Sequence, residues 1–206
     1  LYGSTIDEQH KRIGASCDWS RRAFTLDKGP SHAVQTTFVN LFEKESIYRG
    51  ERIINWCPRC STALSDLEVD HQNEKSFLYH IRYPIEGDNG YLVVATTRPE
   101  TLFGDTAVAV NPEDNRYKHL IGSRVMLPIV DRPIKIIGDS AVDPDLGTGA
   151  LKVTPAHDPV DFEVGQRNGL DFLNVMNLDG TMNQHAGPYS GIDRSDCRNQ
   201  VLKDLD

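Results

Sequence analysis

The stretch Gly147-Thr-Gly-Ala-Leu-Lys152-Val-Thr154-Pro-Ala-His157-Asp158-Pro-Val-Asp161 gathers an ammonium, hydroxyls, an imidazole and two carboxylates. Brought together, such groups make a polar pocket able to hold a small ligand by charge and by hydrogen bonds. Lys152, Thr154, His157, Asp158 and Asp161 are its candidate catalytic residues. Each also has a plainer reading. Lys152 suits a solvent-facing strand position, Asp158 an N-cap, Asp161 a helix first turn, and His157 a bond to nearby backbone. A second group, Thr96-Thr97-Arg98-Pro99-Glu100-Thr101, follows an apolar run that Pro99 must end. Hydroxyls and a guanidinium at a strand end suit a ligand with carbonyl and hydroxyl groups. The alternative is an ordinary strand exit, with Thr101 bonding a backbone amide. Asp105, just beyond, is either a turn residue or a carboxylate behind that site. Thr96, Thr97, Arg98, Glu100, Thr101 and Asp105 are the candidate substrate-binding residues.

Positioning these groups requires particular local structure. The 147–161 stretch reads as a tight glycine turn, a short strand, a proline break and a helix start. On the strand, Lys152 and Thr154 share one face while Leu151 and Val153 take the other and look like core. Asp158 fits the N-cap, Pro159 the first helical position and Asp161 the third residue. The site therefore lies where a strand hands over to a helix N-terminus.

Cys57-Pro-Arg-Cys60 has the spacing of one half of a tetrahedral zinc knuckle. No second Cys-x-x-Cys occurs, and Cys17 and Cys197 stand alone. The pair is either a half-site completed from outside the chain, a site completed within it, or two unliganded thiols. With so few cysteines closely spaced, a disulfide framework is not expected and a reducing compartment is.

The wider sequence fits a globular protein with one sizeable core: 206 residues, 38% hydrophobic and 25% charged. A net charge of -8 argues against broad contact with a phosphate backbone, so a nucleic-acid partner would touch it locally. No apolar run is long enough to span a bilayer. The lack of an initiator Met and of a leader pattern suggests a segment of a longer protein.

Along the chain, Thr5 to Glu8 has capping-box spacing and should open a short helix that Gly14 stops. A second helix is expected from Gly29-Pro30-Ser31, with Val34, Phe38, Leu41 and Phe42 on one face. From Glu51 onward short β-rich runs prevail: 52–55, 67–70, 77–83, 91–97, 106–110, 124–130, 134–137, 149–154 and 172–177. Helices are expected at 113–120, at 159–168 and from Asp193. Many short strands with few long helices predict a mainly β, α+β fold: a small closed β-barrel with peripheral helices and an N-terminal helical extension. The expected boundary leaves residues 1–53 as a helical connection and 54–206 as the barrel domain.

Together the motifs resemble the valyl-tRNA synthetase family. Gly14-Ala-Ser-Cys-Asp-Trp19-Ser, Trp56-Cys-Pro-Arg-Cys-Ser-Thr-Ala-Leu-Ser-Asp-Leu-Glu68, Ala95-Thr-Thr-Arg-Pro-Glu-Thr101 and Gly147 to Asp158 carry the likeness over nearly the whole chain. The 96–101 and Gly-Thr-Gly motifs are shared with isoleucyl and leucyl enzymes. Lys152 with Thr154, and the two Trp segments, are similar to the valyl branch. The resemblance implies the inserted editing domain of a class I synthetase, a β-barrel that hydrolyses threonine esterified to the 3′ end of valine tRNA. It implies Asp161 on the substrate α-ammonium with Asp158 nearby, Lys152 and Thr154 at the threonine side chain, and Thr97, Arg98 and Thr101 on adenosine or ester. His157 is the only local side chain with a near-neutral reference pKa. No cofactor is implied for editing. Zinc at Cys57 and Cys60 would be structural, its other ligands lying beyond this region. His-Ile-Gly-His and Lys-Met-Ser-Lys-Ser are absent, so ATP would act only in a catalytic domain outside the segment. The expected partners are valine tRNA and the rest of the synthetase chain, with no membrane and a monomeric segment. The expected location is cytoplasmic, with an organellar form left open. Two other readings stay open: a non-catalytic module clasping the tRNA acceptor end, and the editing domain of an isoleucyl or leucyl enzyme.

Overall fold

The computed structural model describes residues 2–73 and 75–206 and divides into two compact units, residues 1–51 and 52–206. In the first, helix α1 (Tyr2–Arg12) is already running before the expected cap at Thr5 and ends ahead of Gly14, whose φ of 80° only glycine adopts freely. Asp18 caps a 3₁₀ turn at Trp19–Arg21. Helix α2 (Lys28–Glu43) follows, and its apolar stripe stays exposed at Val34, Phe38 and Phe42.

The second unit opens with a hairpin of β1 (Asn55–Cys57) and β2 (Thr62–Leu64). A longer hairpin pairs β3 (Tyr79–Pro84) with β4 (Tyr91–Thr96), turned at Gly87-Asp-Asn-Gly90. Strands β5 (Ala107–Val110), β6 (Arg124–Leu127), β7 (Arg132–Gly138) and β8 (Ala150–Val153) form one sheet in the order β6-β7-β5-β8, with β5 parallel to β7 and antiparallel to β8. Helices α3 (Pro159–Arg167) and α4 (Arg194–Leu205) lie outside the strands.

Strand β5 is buried on both faces, as a central strand should be. Val108 and Val110 join the main core with Ile81, Tyr83, Val94 and Ile136, while Ala107 and Ala109 join a smaller one with Val153 and Val164 of α3. This period-2 division places Lys152 on the opposite face of β8 from Val153.

The strands are prominent and the helices peripheral, but the expected closed barrel is not what the ladders form. The β3–β4 hairpin lies beside the four-stranded sheet at both ends. It is joined to β6 by one bridge, Ile85 to Val125, and to β8 by no ladder at all. The sequence beside that seam explains the opening. Thr96 Oγ1 takes the Arg98 N–H at 3.0 Å in a local turn, Pro99 has no N–H to give, and a glycine-containing turn leads into β8.

Other expectations also change. Only Lys118–Leu120 of the expected 113–120 helix winds, as a 3₁₀ turn. Asn111 and Asp114 side chains capture the N–H groups of Glu113 and Arg116 instead, competing with a helix. A complete capping box between Ser65 and Glu68 makes 66–68 a 3₁₀ turn rather than a strand. The 172–177 run contributes only the bridge Met176 to Met182.

Candidate active site

The broken seam between β4 and β8 opens into a cavity of about 450 Å³, lined by the end of β4, by β8 and by the start of α3. Thr96, Thr97, Arg98, Thr101, Lys152, Thr154, His157, Asp158 and Asp161 all line it, so two motifs some fifty residues apart in sequence form one site. Glu100 and Asp105, expected to bind substrate, do not line it.

Asp158 is an N-cap, accepting from Val160 N at 2.8 Å and Asp161 N at 3.2 Å, and Pro159 follows at the first helical position. This first turn aims Asp161 back at β8, where Asp161 Oδ2 accepts the N–H of Thr154 at 2.8 Å. The close approach of α3 depends on Gly165, because a Cβ there would meet Pro155 carbons at 2.8 Å. Asp161 is 6% exposed, and among the described residues its other oxygen accepts no hydrogen bond. Burial raises its pKa to about 6, against the N–H of Thr154 and the Lys152 cation, which pull it down. A cation entering the cavity would relieve that burial cost.

Lys152 is 5% exposed, so its solvent-facing reading does not hold. Its ammonium donates to Thr101 Oγ1 at 2.9 Å, Asp105 Oδ1 at 2.8 Å and Thr154 Oγ1 at 2.5 Å. Thr154 Oγ1 in turn donates to Asp105 Oδ1 at 2.6 Å, and the Tyr83 hydroxyl donates to Asp105 Oδ2 at 2.6 Å. Asp105 is thus wholly buried behind the cavity wall, a support for Lys152 rather than a ligand contact. Burial and the neighbouring carboxylate hold the Tyr83 hydroxyl protonated, well above its ordinary pKa, which keeps it a donor. Arg132 donates to the carbonyls of Phe103 and Asp105, both at 2.8 Å, and so fixes the turn that carries Asp105.

Glu100 is 1% exposed and faces away from the cavity. Its two oxygens receive Arg198 of α4 at 2.8 and 2.7 Å, with Arg98 at 3.7 Å. It ties the C-terminal helix to the 96–101 turn, so its role is architectural. Arg98 donates to the His157 carbonyl at 3.0 Å and joins the two motifs directly.

His157 is not placed to act as a base. Its Nε2 accepts the N–H of Val175 at 3.0 Å, so the neutral ring carries its proton on Nδ1. Burial, with the Arg98 and Lys152 cations, depresses its pKa to about 4. Gly104 leaves room for this ring, since a Cβ there would lie 3.4 Å from His157 Cδ2 and 3.0 Å from Thr154 Cγ2.

Tyr83, Arg132 and Arg198 went unmarked in the sequence. Tyr83 had a signal: it alternates with Ile81 on the inward face of β3, where a phenol needs a partner. The arginines had none, because their partners are distant in sequence.

A second concavity of about 600 Å³ adjoins the first and shares Arg98, His157 and Asp158 with it. Arg52, Arg194 and Trp56 also line it, the indole N–H held by the Leu178 carbonyl at 2.7 Å. Cys57 and Cys60 sit across the β1–β2 turn, where Cys60 N points at Cys57 Sγ at 3.4 Å and lowers that thiol's pKa. That amide suits a thiolate. Among the described residues no group of three or more Cys, His, Asp or Glu converges to hold a metal, so these sulfurs could supply only part of a zinc site.

Residues 1–177 match the family of class I tRNA synthetases for isoleucine, leucine, methionine and valine, and the chain belongs to that family. Curated relatives narrow the likeness. A valine–tRNA ligase of Dehalococcoides mccartyi is 58% identical over 200 residues, covering 97% of this chain and 23% of the relative. One of Bacillus cereus is 57% identical over 204 residues, with 99% and 23% covered. One of Pseudothermotoga lettingae is 52% identical over 205 residues, with 100% and 24% covered. The chain therefore spans about a quarter of the length of these relatives. Among solved structures, the LeuRS of a LeuRS–tRNA–LeuAMS ternary complex from Agrobacterium radiobacter K84 shares the fold at a TM-score of 0.50 and 18% identity, over 98% of this chain and 34% of that one. No described helix is long and apolar enough to cross a membrane.

Proposed function

We propose that this chain is the proofreading module of a valine–tRNA ligase, hydrolysing the ester that joins threonine to the terminal adenosine of valine tRNA. The observation that carries the reading is the buried, half-unpaired Asp161 carboxylate facing a cavity whose adjoining wall is Lys152, Thr101 and Thr154. Asp161 receives the α-ammonium, the Lys152–Thr154 wall receives the side chain, and Thr97 and Arg98 face the adenosine and ester. Water attacks the ester carbonyl, the bond to the ribose oxygen breaks, and threonine and free tRNA leave. With His157 Nε2 held by the Val175 amide, the rate comes from positioning and fixed charges.

The chemistry answers a known difficulty. An apolar synthetic site built for valine rejects the isosteric threonine only ~10²-fold, a value already measured for valyl enzymes, whereas a site that hydrogen-bonds the hydroxyl discriminates far better. The second concavity suits the strand leading to the terminal adenosine, because Arg52, Arg98 and Arg194 offer guanidiniums to its phosphates in an otherwise acidic chain. In this reading residues 1–53 connect the module to the rest of the ligase in the cytoplasm. The Cys57–Cys60 pair would hold half of a structural zinc, whose chemistry is to stiffen the hairpin.

The test uses intact ligase, wild type and Asp161→Ala, with threonyl- and valyl-tRNA(Val). Wild type should release threonine far above the spontaneous rate and spare valine, and the variant should lose at least 10²-fold. Threonyl-tRNA that decays no faster with wild-type enzyme than without it would overturn the reading.

A further inference from the structure

Resting on that reading only for the identity of the ligand, we infer that segment 111–117 is a clip that sets how far loop 141–149 reaches across the cavity mouth, with Arg116 as its central positioning residue. The loop supplies one side of the cavity through Val142, Leu146, Gly147 and Gly149. It also leans over the seam that no ladder closes: a Cβ on Gly147 would lie 3.1 Å from that of Ala95 in β4. Among the described residues no hydrogen bond joins the loop to β4, so the loop must be held from behind. Its internal bonds are short-range. Leu146 N–H donates to the Asp143 carbonyl at 3.2 Å, Gly149 N–H to the Leu146 carbonyl at 3.0 Å, and Asp145 N–H to Asp143 Oδ1 at 2.9 Å. These shape the loop without placing it.

Placement comes from three side chains of 111–117, each donating to a loop carbonyl. Asn111 Nδ2 reaches Val142 O at 2.8 Å, Arg116 Nη2 reaches Pro144 O at 2.6 Å, and the Tyr117 hydroxyl reaches Thr148 O at 3.0 Å. The bonds fall on both sides of the loop tip at Leu146. The clip is itself braced. Asn111 Oδ1 accepts the Glu113 N–H at 2.9 Å, and Asp114 accepts the Arg116 N–H at 2.9 Å, Nε at 3.0 Å and Nη2 at 2.7 Å. This two-pronged hold leaves the second Nη2 proton for Pro144, a division that a lysine ammonium could not reproduce. The loop has the matching shape: a Cβ on Gly149 would strike Arg116 Nη2 and lie 2.8 Å from the Pro144 carbonyl oxygen. At the root of the loop Asp139 is tied separately to Arg167 and Asn168 of α3, so cutting the clip frees the loop while its base stays anchored. Asn111, Asp114, Arg116 and Tyr117 do not line the cavity, so the clip acts on a ligand only through the loop. Its loss should weaken the hold on the ligand and leave the chemistry intact, whereas a general support of the fold would lower the fraction of active enzyme.

The experiment compares intact ligase, wild type, Arg116→Ala and Tyr117→Phe, by amide hydrogen exchange and by release of threonine from threonyl-tRNA(Val). Tyr117→Phe removes one oxygen and keeps the ring, so it reads out even if Arg116→Ala fails to fold. Exchange within 142–149 should quicken at least tenfold in Arg116→Ala and about threefold in Tyr117→Phe, with β5 and β7 unchanged. KM should rise about tenfold and threefold respectively, with kcat within twofold of wild type. Exchange in 142–149 that stays at the wild-type rate in both variants would overturn the inference. So would exchange that quickens equally through β5 and β7, or a kcat that falls at constant KM. Should wild type release no threonine, the proofreading reading fails, and the exchange rates alone decide whether the clip holds the loop.

Discussion

Thr154 N–H and Asp161 Oδ2 lie 2.8 Å apart, a bond that fastens the end of β8 to the first turn of α3. It fixes the carboxylate within the cavity while leaving one oxygen for a ligand, and it makes the charge of Asp161 costly until a cation arrives.

That cost predicts a pH dependence. Asp161 is raised from an ordinary value near 3.8 to about 6, so the folded state prefers the protonated acid. Its contribution to stability is present below pH 3.8 and is lost as pH rises to about 6. Wild type should therefore lose melting temperature relative to Asp161→Asn across that window, with a constant difference above it. Threonine release should rise over the same window as the anchor ionises, and level off near pH 7. A pH-independent difference between the two melting curves would refute the assignment.

His157 moves the other way. Its pKa falls from about 6.5 to about 4, so its contribution is present above pH 6.5 and is lost as pH falls to about 4. Replacing it with Ala leaves the Val175 N–H without its acceptor, at about 1–3 kcal/mol. The variant should melt several degrees lower yet keep the pH profile of threonine release and a kcat within about threefold. A kcat loss of 10²-fold at unchanged melting temperature would instead make His157 the base.

Arg198→Ala should act at a distance. It strips the buried Glu100 carboxylate of both close partners, leaving Arg98 at 3.7 Å. Because Arg198 is itself partly exposed, the loss is expected at about 2–3 kcal/mol, below the value for a fully buried pair. Arg198→Ala with Glu100→Gln should recover part of it, since the charge is gone. Thermal unfolding of the three variants checks this, and an unchanged Arg198→Ala would show the ion pair to be idle.

Arg194→Ala tests the second concavity. It should raise KM for threonyl-tRNA about tenfold at low salt, flatten the salt dependence by roughly one counterion, and leave hydrolysis of a threonyl-adenosine ester unchanged. Equal effects on tRNA and nucleoside esters would remove the groove from the RNA path.

Much of the site was legible because its residues are local. The strand, proline break and cap at 150–161 follow from alternation and N-cap chemistry, which put Lys152 and Thr154 on one face and Asp158 at the helix start. What was hidden depends on distance. Glu100 was grouped with its neighbours Arg98 and Thr101, but it turns outward to Arg198, ninety-eight positions away. His157 was marked only by its near-neutral reference pKa, and the fold alone reveals the Val175 amide on its ring. The expected closed barrel did not form, since a count of strands says nothing about which neighbours exchange hydrogen bonds.

The unladdered edge between β4 and β8 has a consequence for engineering this protein. Zipping those staves together would add main-chain bonds and raise thermal resistance, yet the same stitches would seal the mouth of the cavity. Robustness and access compete for one strip of backbone, so sequences selected for heat tolerance alone should drift toward a shut, inert ring.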